Sequence, residues 1–97
     1  MNNEALTKDA LAQEALKIAV QAALEGDWEK SHNIAQDYDD NPISCNLANW
    51  LHAVLHKIEG DVWNSKYWYA KTNGKKYEDF RDANQELIAI QNSLNQM

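Results

Sequence analysis

A single cysteine, Cys45, excludes an internal disulfide, and one proline with three glycines leaves few points where a helix is forced to stop. Basic residues are also scarce. Eight lysines and the lone Arg81 face 15 acidic residues, a formal net charge of −6. The lysines do not cluster along the chain beyond Lys75 and Lys76, so no net of positive charge is available to displace counterions from a phosphate backbone, and nucleic acid is excluded as the expected partner. No apolar run approaches the roughly 20 residues of a membrane span, which excludes a membrane partner too. The stretch from Met1 to Leu6 is polar and acidic and has neither the basic nor the apolar part of a secretory leader. A cytoplasmic protein with reduced thiols is expected. Its 97 residues suffice for one domain, 1–97, whose stability depends on good packing or on a partner.

The pattern that is present is a repeat. Glu25, Gly26 and Asp27 return as Glu59, Gly60 and Asp61, and Ser31 returns as Ser65, each 34 residues later. That period belongs to tetratricopeptide-type units, helix-turn-helix pairs that stack on one another. The glycines and the proline fall where this segmentation needs them. The expected helices run over 4–24, 28–38, 42–59, 62–72 and 77–96, with Asp27, Asn41 and Asp61 as caps whose side chains accept from the amides of the next turn. The predicted fold is all-α: hairpins over about 4–38 and 42–73, and a terminal helix that covers the open end of the stack. Along that last helix Phe80, Ala83, Leu87, Ile90, Leu94 and Met97 recur at steps of three and four. This stripe serves either a homodimer or the chain's own core.

On the third helix, at about 100° per residue, Leu47, Trp50, Leu51, Val54, Leu55 and Ile58 form one apolar face, and Asn49, His52, His56 and Glu59 gather opposite. His52, His56 and Glu59 are spaced i, i+4, i+7. Two imidazoles one turn apart and a carboxylate one turn further offer three ligands to a divalent metal such as zinc or iron. His32 on the second helix is the natural fourth group. The competing reading is a buried polar network in which Glu59, Asn49, His32, Asn64 and Tyr69 satisfy the imidazoles. No nucleophile constellation stands out: Ser44, Cys45 and His52 lie close in sequence, but Cys45 and His52 are two turns apart. Cys45 reads as a small, half-buried apolar residue, and an enzyme is not the expectation.

The fourth helix carries Trp63, Tyr67, Trp68 and Tyr69, which cannot all enter one core. Trp63 and Tyr67 share a face and read as the buried pair, leaving Trp68 and Tyr69 to line a groove or an interface. Gly26, Asp27, Trp28, His32 and Gln36, followed by Trp50, His52, Ala53, Leu55, His56, Glu59, Gly60, Asp61, Asn64, Tyr67, Trp68 and Tyr69, resemble the pattern of a group of short bacterial helical proteins. In that group a GDW…H…Q segment precedes W.HA.LH..EGD..N..YWY. The resemblance covers roughly 25–70 and implies a tetratricopeptide-like fold and no particular activity. The chain departs from the pattern with Ser31 and Ser65 in place of alanine and Lys57 in place of arginine. The expected function is a scaffold that binds a protein, a peptide or its own twin. The alternative is a small-ligand or metal-dependent site built on His32, His52, His56 and Glu59, with Asn64, Trp68 and Tyr69 as further lining.

Overall fold

Two Gly-Asp turns organise the chain, because each ends one helix and starts the next in the same way. Asp27 N donates to Ala22 O at 2.8 Å and Gly26 N to Ala23 O at 3.1 Å; 34 residues later Asp61 N donates to His56 O at 2.9 Å and Gly60 N to Lys57 O at 3.1 Å. These are the paired closing bonds of a helix that ends on a left-handed residue, and only glycine adopts that conformation cheaply. Gly26 has φ 88° and Gly60 φ 83°. Asp27 then accepts from Lys30 N, and Asp61 from Asn64 N, each at 3.2 Å. The repeat read from the sequence is thus a repeat of hydrogen bonds.

The structure, a computed structural model, describes residues 8–41 and 44–96. Among the described residues it holds five α-helices and no strand: α1 Lys8–Leu24, α2 Trp28–Asp37, α3 Cys45–Ile58, α4 Val62–Tyr69 and α5 Ala83–Asn95, with a 3-10 turn at Tyr77–Asp79. The expected start of the first helix at residue 4, the Pro42 position and Met97 lie outside the described residues. Asn41 behaves as the expected cap, accepting from Ser44 N at 3.0 Å, although α3 itself begins at Cys45.

The terminal helix differs from expectation. The predicted helix over 77–96 is interrupted, with extended backbone at Phe80 and a fresh start at Asp82, whose carboxylate accepts from Asn84 N at 2.8 Å. Asp82 followed by Gln85 is a capping pattern that the reading of one continuous helix passed over. α5 also packs against α1 and α3 rather than extending the stack beyond α4. Its apolar stripe is spent there: Leu87, Ile90 and Leu94 are fully buried in the same core as Leu16, Val20, Leu51, Val54 and Leu55. Each such side chain contributes about 1.5–3 kcal/mol of apolar burial, so the stripe is a core face and not a free dimer seam.

Around α5 the core contains one buried ionic knot. Glu86, with no exposed surface, accepts from Trp50 Nε1 at 2.8 Å, Tyr69 Oη at 2.5 Å and Lys57 Nζ at 2.7 Å. Lys57 Nζ donates further to Tyr77 O at 2.9 Å and Phe80 O at 3.2 Å. The lysine therefore ties the non-helical connection to α3, and the glutamate ties α5 to both helices of the second hairpin.

Candidate metal centre

α3 is central and buried on every side from Ala48 to His56, so the polar face that the helical wheel places opposite the core is not a solvent face. It meets α2. Trp28, the first residue of α2, sends Nε1 to Leu55 O at 2.6 Å, which sets the rotation of α2 on α3 and brings His32, one turn on, over the two histidines of α3. His32 and His52 lie 4.5 Å apart between ring centroids, His32 and His56 5.5 Å, and His52 and His56 5.0 Å. One ligand atom from each of the three comes within 4.8 Å of the others. Nitrogens bound to one zinc at about 2.0–2.1 Å sit about 3.3 Å apart at the tetrahedral angle. The trio needs to close by no more than about 1.5 Å, within the reach of side-chain rotation.

A carboxylate already holds one of the three rings. Glu59 Oε1 lies 2.5 Å from His56 Nδ1, and an imidazole N–H donating to a carboxylate leaves Nε2 with its lone pair free for a cation. Glu59 also belongs, with His56 and Asp61, to a second group of ligand atoms within 4.8 Å of one another. Aromatic rings brace the histidines from both sides: Trp28 stacks on His32 at 4.6 Å and Trp68 on His52 at 3.8 Å. His52 Nδ1 is buried without a hydrogen-bond partner, and the residue is 3% exposed.

Protonation is opposed inside the cluster. Burial first, then the neighbouring His32 and His56, lowers the His52 pKa to about 3. Burial and His56 also lower His32, against a smaller upward pull from Glu59. At neutral pH His32 and His52 are therefore neutral, the state that ligates metals.

The site expected from the sequence is partly redistributed. The structure brings His32, His52, His56, Glu59 and Trp68 together. Of the expected metal set, His52 and His56 cluster with His32, while Glu59 groups with His56 and Asp61. Asn64 donates to Asp61 at 2.6 Å and completes a helix cap beside the site rather than facing the imidazoles. Tyr69 is a correction: it points away to Glu86, because it lies one residue past Trp68, about 100° around the helix. Sequence reasoning missed Trp28 and Asp61 as members of the cluster. Their signal was position, Trp28 one turn before His32 and Asp61 two residues after Glu59. No family model, no curated protein and no solved structure matches this chain.

Proposed function

We propose that the chain is a helical binding module that holds one divalent transition-metal ion, zinc being the type case, through His32, His52 and His56, with Glu59 orienting His56. The observation that carries this reading is the meeting of three imidazoles from two hairpins, ligand atoms within 4.8 Å, one of them already held by a carboxylate. The repeat register supports it. Residues that build the hairpins recur 34 positions on, as Ala19 and Val20 do in Ala53 and Val54; the histidines do not, since His52 and His56 stand where the first hairpin has Ile18 and Ala22. The unpartnered His52 nitrogen supports it as well: of the buried side-chain atoms without a partner among the described residues it is the one that belongs to the histidine cluster, where a cation would offset a cost of about 1–3 kcal/mol.

Three nitrogen ligands without a thiolate suit zinc, copper or nickel, and the competition among them in solution follows the usual affinity order. The half-buried His32 is the most open of the three rings, so the remaining coordination position falls on its side. Two surface cavities, of about 360 and 530 Å³, are lined by other residues. With His32 on α2 and His52 and His56 on α3, the ion is assigned a clamping role between these two helices.

Calorimetric titration of chelator-treated, tag-free protein with zinc chloride tests the reading. One equivalent is expected to bind, and to raise the unfolding free energy by about 2.7 kcal/mol when free zinc is a hundredfold above Kd. His52→Phe, which keeps a ring against Trp68, is expected to abolish the heat, and Glu59→Gln to weaken binding about 10–100-fold. Absence of binding by the native sequence, or undiminished binding by His52→Phe, overturns the reading.

A further inference from the structure

The overall negative charge conceals a segregation. Residues 62–77 carry Lys66, Lys71, Lys75 and Lys76 and no acidic residue, whereas the rest of the chain holds five basic and 15 acidic residues, so +4 stands against −10. Half of the lysines thus fall in one segment, and the fold brings three of them to one cavity. Lys66 leaves α4, Lys75 and Lys76 leave the loop after it, and these three line one open cavity of about 360 Å³ with Tyr69 and Tyr77 as its rings and Glu78 as its one carboxylate. That volume lies within the roughly 300–1,000 Å³ of ligand-binding clefts.

Beside the cavity α4 turns its aromatics outward, opposite to expectation: Trp63 is 73% exposed and Tyr67 46%, while Tyr69 is buried. The Trp63 and Tyr67 rings stack 5.7 Å apart at 11°, and Ile58 and Val62 extend the apolar surface. Trp63, Lys66, Tyr67 and Ala70 follow i, i+3, i+4, i+7, so the aromatic platform and the mouth of the cavity lie on one stripe. Intramolecular contacts only partly occupy the lysines. Lys66 meets Glu78 at 3.7 Å with both side chains exposed, Lys71 lies over the Tyr67 ring at 4.9 Å and near enough to Asp39 to act on its pKa, and Lys75 lies over Trp50 at 4.3 Å. Neither Lys75 nor Lys76 forms an ion pair among the described residues.

We propose that this face docks a short acidic peptide segment bearing an apolar anchor, its carboxylates on Lys66, Lys75 and Lys76 and its anchor on the Trp63–Tyr67 platform. Charge complementarity selects the occupant. Single-stranded nucleic acid would also use lysines and stacked rings, but a long phosphate backbone runs past the patch onto a molecule that otherwise carries −10 and is repelled there. A short segment meets a face on which three lysines outnumber the one lining carboxylate, Glu78.

The test is fluorescence anisotropy with the full chain and three labelled probes: a peptide alternating glutamate with leucine, the same peptide with serine for leucine, and an oligothymidine. The leucine peptide is expected to bind saturably and more weakly in high salt. Trp63→Ala, and separately Lys75→Gln combined with Lys76→Gln, are expected to weaken it about tenfold or more. All three positions are exposed, so thermal melts are expected to match the native protein. The proposal is overturned by no binding at millimolar protein, by equal affinity for the serine peptide, by tighter binding of oligothymidine, or by unchanged affinity in either variant. It is equally overturned by a dimer of the chain alone that Trp63→Ala dissociates, since a second copy would then be the occupant.

Discussion

Replacing Glu86 with alanine tests how the last helix is held. The carboxylate has no exposed surface and receives three donors, while the Lys57 side chain opposite it is 8% exposed. Removing it strands an ammonium, an indole N–H and a phenol. Breaking one half of a buried ion pair costs about 3–5 kcal/mol, a large part of the roughly 5–15 kcal/mol that holds a small domain together. The phenol does not escape by ionising, because burial, the largest cause that raises the Tyr69 pKa, remains when Glu86 is gone. Urea unfolding followed by circular dichroism, with a slope of about 1 kcal/mol per molar for so small a chain, is expected to show a midpoint lowered by about 3 M, or no folded baseline. Glu86→Gln also fails in part, because its amide supplies one acceptor oxygen where the pocket presents donors to two. Lys57→Met combined with Glu86→Leu is expected to recover stability relative to Glu86→Ala, since an apolar pair leaves no stranded charge. A loss below about 1 kcal/mol for Glu86→Ala refutes the reasoning: the donors would then be served by water.

Other measurements separate local causes. Ser65 Oγ donates to Ala53 O at 2.7 Å while its repeat counterpart Ser31 Oγ is buried without a partner, so Ser65→Ala should cost about 1 kcal/mol and Ser31→Ala nothing or less, by the same urea assay. Asp27→Ala removes the cap of α2 and should cost roughly 0.5–2 kcal/mol; an unchanged midpoint would place the helix start elsewhere. His52 is held neutral in the fold, so below its unfolded pKa of about 6.5 the unfolded chain binds the extra proton. The metal-free protein should therefore lose stability as pH falls from about 6.5 toward about 3, a slope that His52→Phe flattens. An identical pH profile in that variant counts against a buried neutral imidazole.

The parts of the fold legible in the sequence were those written in local chemistry. Gly26, Gly60, Asp27 and Asp61 act through neighbours a few residues away, and their spacing sufficed to place both hairpins. The histidine pair on α3 was legible for the same reason. The arrival of His32 was only suggested, because it depends on the rotation of α2, and that rotation follows from the bond of Trp28 to a carbonyl 27 residues on. Helical periodicity along 77–96 concealed the break at Phe80, since the apolar stripe resumes in phase after it. Trp68 meets the histidines as expected, but Trp63, Tyr67 and Tyr69 lie on the sides opposite to expectation, and Tyr69 is held inward by Glu86, a contact across 17 residues that no helical wheel contains.

The seating of α5 on α1 also bears on the order in which the chain can fold. Repeat proteins commonly acquire structure unit by unit, each hairpin resting on the one before. Here Gln13 donates to the carbonyl of Leu94 across 81 residues, and α5 covers part of α1. During synthesis the first hairpin therefore waits, with part of its apolar face uncovered, until α5 has been made. A repeat in its turns, the molecule closes on itself through α5, and shortening the chain before α5 is expected to uncover the apolar face of α1.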